Sequence, residues 1–145
     1  MKVEDCMTKN VICVGASEPV SVAARLMARY NVGTLPVQRV DGTLSGMVTD
    51  RDLVLRCVAA NKDPERIKVG EIMSNRVVSV SPEAELPKAA AIMSAEQVRR
   101  LPVVRNEKLV GMVTLGDLSR QEAYSRQTAE SLAEITCGVR RLGDL

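Results

Sequence analysis

Residues 46–53 read GMVTDRDL, and residues 111–118 read GMVTLGDL. Each copy follows a Leu-Pro-Val tripeptide, at 35–37 and at 101–103. Met7 and Met73 open the same M-x-x-x-V-x-x-V pattern farther upstream. Repetition of this extent predicts two copies of one supersecondary unit. Two copies are too few for a solenoid, so we expect their sheets to pack face to face about a pseudo-twofold axis.

The first half of each copy predicts a strand and then a helix. The β-branched runs at 11–14 and 77–80 are typical of strands. A polar turn follows each run, and apolar residues at helical spacing then predict helices over 20–30 and 86–97. Each of these helices should cross over to a parallel strand, with the usual right-handed connection.

The second half of each copy predicts a hairpin and a second helix. Leu35–Arg39 and Leu44–Thr49 flank an Asp-Gly turn at 41–42, which is a strong hairpin signal. The corresponding turn of the second copy, Asn106-Glu107, is a weaker one. Helices are then expected over Asp50–Ala60 and Leu115–Ala123.

These elements define an α+β fold with the order β-α-β-β-α in each of two repeats. The predicted boundaries are 1–65 for the first repeat with its linker, 66–120 for the second repeat, and 121–145 for a C-terminal helical tail. Tyr124, Leu132 and Ile135 are spaced as in an amphipathic helix that ends near Thr136. We expect that helix to cover apolar surface or to make a dimer contact.

Composition excludes several classes of function. The 145 residues include no His, Trp or Phe, and the formal net charge is +2. Without histidine there is no Ser-His-Asp or Cys-His pair and no imidazole metal ligand. We therefore predict no enzyme, no catalytic residue and no metal site. The balanced charge and scarce aromatic rings disfavour nucleic acid as a partner.

The cysteines and the apolar runs point to a reduced, cytoplasmic protein. Cys6, Cys13, Cys57 and Cys137 form no C-x-x-C pair. We expect reduced thiols, with Cys13 and Cys57 partly buried as small hydrophobic residues. No apolar run approaches the ~20 residues of a membrane span. The acidic N-terminal residues do not resemble a signal peptide.

The repeated Thr-x-x-Asp sequence allows two interpretations. Thr49 with Asp52, and Thr114 with Asp117, fit a capping box at the start of a helix. The same position could hold a ribonucleotide, because a carboxylate suits a ribose diol while a hydroxyl and helix amides suit phosphate.

The repeated Leu-Pro-Val sequence also allows two interpretations. Proline removes one donor from a strand, so it could protect a sheet edge against aggregation. It could also leave backbone groups around Thr34–Pro36 and Arg100–Pro102 unused by the sheet and able to read the edge of a purine.

The quoted motifs together resemble a tandem pair of CBS domains, also called a Bateman module. The resemblance covers residues 3–119. It implies clefts between the two repeats that bind an adenosine-containing ligand, and we expect AMP, ADP or ATP ahead of S-adenosylmethionine or NAD. It also implies that the motif aspartate holds the ribose, that the threonine lies near phosphate, and that backbone of the first strand and the Leu-Pro-Val strand frames the adenine. Carried onto this sequence, one cleft would use Val11, Thr34, Leu35, Pro36, Thr49, Arg51 and Asp52, and the other Arg76, Val77, Arg100, Leu101, Pro102, Thr114 and Asp117.

The resemblance implies a regulatory module that senses an adenosine-containing effector and signals to a partner protein encoded elsewhere. No cofactor is required for this role. Arg76, Arg99 and Arg100 suggest that the second cleft prefers more phosphorylated ligands. The alternative is a ligand-free homodimeric scaffold, assembled through outward-facing helices.

Overall fold

The structure is a computed structural model, which describes residues 1–121, 130 and 132–135. These residues form two compact units. The first-repeat unit contains Ile12–Val77 and Glu107–Leu109. The second-repeat unit contains Met1–Val11, Val78–Asn106 and the described residues from Val110 onward. The units in space thus differ from the sequence repeats, because the segment leading into each repeat packs with the other repeat's unit.

The first-repeat unit is built on a helix and an antiparallel hairpin. Its elements are α1 (Val20–Tyr30), β1 (Thr34–Gln38), β2 (Leu44–Thr49), α2 (Asp50–Leu53) and α3 (Val69–Ile72). Helix α2 continues through Val54–Val58 with wider π-type hydrogen bonding, including Ala59 N to Val54 O at 2.8 Å.

The second-repeat unit has the corresponding elements. A short 3₁₀ turn covers Val3–Asp5, and α4 (Leu86–Glu96), β3 (Arg100–Arg105), β4 (Lys108–Thr114) and α5 (Leu115–Ser119) follow. Within the described residues, β1 pairs with β2 and β3 pairs with β4, each as a two-stranded sheet. The predicted α+β fold with paired repeats is confirmed.

Both predicted hairpins form, with different turns. Gly42 adopts a φ of +91° in the first, which glycine does without steric cost. The second is a two-residue turn in which Asn106 and Glu107 have φ values of 52° and 68°. Two positive φ values are the geometry that best matches the twist of a hairpin, so the second turn is tighter than its residues predict.

The helices follow the predictions closely at their starts and less closely at their ends. Helices α1 and α4 begin at the predicted residues, and each is closed by a residue in the left-handed conformation, Asn31 and Gln97. Helix α5 ends at Ser119 rather than at Ala123.

The strands predicted over 11–14 and 77–80 shorten to single parallel bridges. Val14 N donates to Pro36 O at 3.1 Å, and Gln38 N donates to Val14 O at 2.9 Å. The next bond of a parallel ladder would run from residue 36 to the Ile12 carbonyl, which Pro36 cannot make because it has no N–H. Val80 pairs with β3 in the same way, since Val80 N donates to Pro102 O at 3.0 Å.

Each unit has its own apolar core. The first-repeat core is formed by Val14, Val20, Ala23, Met27, Leu35, Val37, Val48, Cys57, Ile67, Val69 and Ile72. The second-repeat core is formed by Val3, Val80, Leu86, Ala89, Ala90, Met93, Leu101, Val103, Val113, Leu115, Leu118 and Ile135. The segments that lead into the repeats, residues 1–11 and 66–77, are called the exchanged segments because each belongs to the other repeat's unit. Val3 in one core, and Val69 and Ile72 in the other, come from these segments, so the exchange completes both cores.

The exchanged segments also pair with the second strand of each hairpin. Ser74 N donates to Met47 O at 2.8 Å, and Met47 N donates to Ser74 O at 3.1 Å. In the other unit, Thr8 and Met112 exchange two bonds of 2.9 Å. The additional pairing covers the outer edges of β2 and β4, which reduces unwanted strand association.

The structure describes three of the four cysteines and a short part of the C-terminal tail. Cys6 and Cys13 are half-buried, and Cys57 is buried. Residues 132–135 are helical, and Ile135 packs into the second-repeat core while Leu132 is exposed. Tyr124, Thr136 and Cys137 lie outside the described residues. In the part of the chain that the structure describes, no helix has the length and apolar character needed to cross a bilayer.

Candidate functional site

The Thr49–Asp52 junction, where β2 passes into α2, forms a complete capping box. Asp52 N donates to Thr49 Oγ1 at 3.1 Å, and Thr49 N donates to Asp52 Oδ2 at 2.9 Å. Asp50 N donates to the Gly33 carbonyl at 2.9 Å, which ties the junction to the residue before β1. The capping interpretation of this sequence is therefore confirmed.

The Thr114–Asp117 junction, between β4 and α5, repeats this geometry. Asp117 N donates to Thr114 Oγ1 at 3.1 Å, and Thr114 N donates to Asp117 Oδ2 at 2.8 Å. Thr49 and Thr114 have the same φ and ψ, −117° and 162°. The two junctions therefore have the same local geometry. In each, the cap holds Oδ2 of the aspartate, and this also fixes the direction in which Oδ1 points.

An arginine faces each Oδ1 atom, and neither arginine was among the predicted site residues. Arg56 Nε lies 3.9 Å from Asp52 Oδ1, and Arg120 Nη2 pairs directly with Asp117 Oδ1. The Asp52 side chain is 16% exposed and that of Asp117 is 8% exposed. The spacing of four and three residues along a helix was the available sequence signal.

The half-buried Cys6 thiol belongs to the surroundings of Asp117. Burial raises the pKa of Cys6, and the Asp117 and Asp5 carboxylates raise it further, while Arg120 lowers it. The thiol donates to Val3 O at 3.6 Å. Because the thiolate is disfavoured here, Cys6 acts as a small neutral residue beside the carboxylate.

The other predicted residues of the first junction are divided between surface and core. Thr34 lies opposite Thr49 in the β1–β2 register, and Arg51 is exposed on α2. Leu35 and Pro36 are buried. The Pro36 carbonyl accepts from Val14 N, and the prediction that backbone around Thr34–Pro36 contacts a purine stays a prediction.

The corresponding residues of the second junction behave alike. Leu101 and Pro102 are buried, Arg100 is exposed, and the Pro102 carbonyl accepts from Val80. The prediction that backbone around Arg100–Pro102 contacts a purine likewise stays a prediction. The carbonyls that receive no bond from β1 or β3 are those of Ile12 and Val78, two residues before the bridged Val14 and Val80. The opposing residues, Pro36 and Pro102, have no N–H to donate.

Three predicted residues lie on the exchanged segments or at their ends. Val11 is half-buried at the end of the segment in the second-repeat unit. Arg76 is exposed and Val77 half-buried in the first-repeat unit. Their grouping with the Thr-Asp junctions stays a prediction. Within the described ranges, no group of three or more His, Cys, Asp or Glu side chains is arranged to hold a metal ion.

Comparison with known proteins identifies the family. The model of the CBS domain matches residues 3–58 and again residues 69–123. The chain belongs to the CBS domain family. The CBS domain-containing protein YhcV of Bacillus subtilis is 40% identical to it over 134 residues, which cover 92% of this chain and 94% of YhcV.

Solved structures of CBS proteins share the fold. Hypoxic Response Protein I, crystallised with two coordinated zinc ions, is 36% identical with a TM-score of 0.78, over 83% of this CBS chain and 98% of that one. A CBS domain pair in complex with 5′-methylthioadenosine and S-adenosyl-L-methionine is 28% identical with a TM-score of 0.72, over 83% and 94% of the two chains.

Proposed function

We propose that this CBS protein is a regulatory module that binds an adenosine-containing ligand at its Thr-Asp junctions. The observation that carries this function is the fixed carboxylate of Asp52 and of Asp117. In each, the cap holds Oδ2 on a backbone N–H and so orients Oδ1 in advance. A pre-oriented acceptor binds a ribose diol without the entropy loss of ordering a mobile side chain.

The surrounding backbone supports a purine as the base. Pro36 and Pro102 cannot donate to the Ile12 and Val78 carbonyls, so these carbonyls receive no bond from the Leu-Pro-Val strands. A carbonyl of this kind accepts from the exocyclic amine of adenine. The CBS domain pair solved with 5′-methylthioadenosine and S-adenosyl-L-methionine supports adenosyl ligands for this family.

The effector we assign first is AMP, ADP or ATP, ahead of S-adenosylmethionine or NAD. A bound effector changes the protein only through different affinities for two arrangements. The readout is then contact with an effector protein. No catalytic step is assigned to the chain.

Calorimetric titration of each of these five ligands into the whole protein tests this function. The double variant Asp52→Asn/Asp117→Asn is the sharpest comparison, because the amide oxygen still accepts from Thr49 or Thr114 and preserves the cap. We expect the wild type to bind at least one ligand, and the variant to lose binding while it keeps its melting temperature. Absence of heat with every ligand overturns the function.

A homodimeric scaffold is the second candidate, favoured by one observation. The helix formed by α2 and its π-type extension exposes Val54, Leu55 and Val58, which are 55%, 48% and 69% accessible. Adjacent exposed apolar side chains are typical of an interaction surface. Native mass spectrometry of the wild type and of Val58→Asp tests it. A dimer that Val58→Asp dissociates supports this surface, and a monomeric wild type contradicts it.

A further inference from the structure

The arginines that face Asp117 and Asp52 are held differently. Arg120 Nη2 pairs directly with Asp117 Oδ1, and the aspartate side chain is almost wholly covered. Arg56 Nε is 3.9 Å from Asp52 Oδ1, and its Nη1 donates to the Ile72 carbonyl at 3.0 Å. Arg56 is therefore anchored to the backbone, whereas Arg120 is anchored to the carboxylate itself.

This difference matters because Oδ1 is the acceptor that remains for a ribose. At both junctions Oδ2 already accepts from the threonine N–H. A diol that binds Asp117 through Oδ1 therefore competes with Arg120 for that oxygen. The Arg120 side chain is 69% exposed, so water can solvate its guanidinium when a ligand takes its place on the carboxylate.

Resting on the proposed function, we infer that Arg120 makes the Thr114–Asp117 junction selective for nucleosides that carry a 5′-phosphate. When a neutral nucleoside binds Asp117, Arg120 loses its carboxylate partner and gains no other anion. A nucleotide supplies a phosphate on the same ribose, and the guanidinium donors match phosphate oxygens in bidentate pairs. The Thr49–Asp52 junction requires no such exchange, so it accepts nucleosides and nucleotides alike.

The test compares AMP with adenosine at the second junction alone. Asp52→Asn provides the background, because it disables ribose binding at the first junction and keeps the cap. Calorimetry then gives the ratio of the adenosine Kd to the AMP Kd with and without Arg120→Ala. We expect the ratio to fall by about fivefold on Arg120→Ala, with adenosine binding more tightly than before and AMP less tightly.

Arg66→Ala in the same background is the matched control. Arg66 pairs with Asp63 at the same three-residue spacing, with 3.6 Å between Arg66 Nε and Asp63 Oδ2, and lies between Val58 and α3. We expect it to leave the ratio unchanged. An unchanged ratio in Arg120→Ala, with AMP binding intact, overturns the role of Arg120 while the proposed function stands. If the wild type binds neither AMP nor adenosine, the proposed function itself is overturned.

Discussion

Met73 packs directly over Gly46, the residue that opens the first GMVT sequence. A β-carbon on residue 46 would lie 2.7 Å from the Met73 sulfur and 2.7 Å from the Ser74 carbonyl oxygen. Gly111 stands in the same relation to Met7, at 2.6 Å from its sulfur. In each unit the repeated methionine therefore packs on the repeated glycine. This contact lets the exchanged segment lie close against the hairpin.

Gly46→Ala should destabilise the protein by about 1–3 kcal/mol, because the methyl group meets a backbone carbonyl that cannot move without breaking its pairing with Met47. Urea denaturation measures the change. Gly15→Ala is the matched control, since the nearest atom to its β-carbon is 3.6 Å away on Glu18. Equal losses in the two variants would mean that the Met73 contact is not the cause.

Thr114→Ala should cost roughly 0.5–2 kcal/mol, because it removes the oxygen that accepts from Asp117 N at the start of α5. Thr114→Ser keeps that oxygen and should retain most of the stability. Thermal and urea unfolding of both variants gives the comparison. If serine fails to restore what alanine loses, the hydroxyl bond does not stabilise the junction.

Ser21→Ala should raise stability by roughly 0.5–1.5 kcal/mol, because a buried hydroxyl without a partner costs free energy and alanine favours the helix. Among the described residues, Ser21 Oγ is a buried oxygen with no hydrogen-bond partner. Ser45→Ala is the control, since Ser45 Oγ donates to Val37 O at 3.1 Å and its removal should lower stability. A loss of stability in Ser21→Ala refutes the prediction.

Glu107→Gly should stabilise the β3–β4 hairpin by roughly 0.5–1 kcal/mol, because glycine adopts a positive φ without the steric cost that glutamate bears. Glu107 has a φ of 68°. Glu107→Ala removes the same side chain but keeps the β-carbon, so it should show no such gain. Equal urea midpoints for the two variants would contradict the conformational explanation.

The contribution of Glu83 to the free energy of unfolding should decrease at acid pH. Hydrogen bonds from Ser81 and from Arg105 lower the pKa of Glu83 from 4.5 to about 2. A carboxyl group with a depressed folded pKa stabilises the protein above its unfolded pKa, and that contribution is lost as the pH falls from about 4.5 towards 2. The group is exposed, so the effect is small and should weaken further in high salt.

Glu83→Gln provides the measurement of that contribution. Urea midpoints of the wild type and the variant should differ at pH 6 and converge as the pH is lowered through this interval. Arg105 also contacts Glu4, at 3.2 Å, so Arg105→Gln should remove both ion pairs and show a larger difference at pH 6. A difference between wild type and Glu83→Gln that does not change with pH would assign the effect to packing.

The sequence predicted the local features of the candidate site well. Thr49 with Asp52 formed the capping box because both bonds depend only on residues within three positions of each other. The sequence did not indicate which arginine each carboxylate would face. Arg56 is drawn to the carbonyl of Ile72, sixteen residues away, and only the packed exchanged segment brings that carbonyl to it.

The sequence by itself determined the duplication, the helices and hairpins of each repeat, and the caps, because these follow from short-range spacing and backbone preference. The tertiary structure alone decided that residues 1–11 and the segment around Val69–Ile72 are exchanged between the units, and that 11–14 and 77–80 pair at one residue each. A β-branched run favours an extended backbone, but the number of bonds it makes depends on the donors of the strand beside it. Here a proline in that strand removes the next donor.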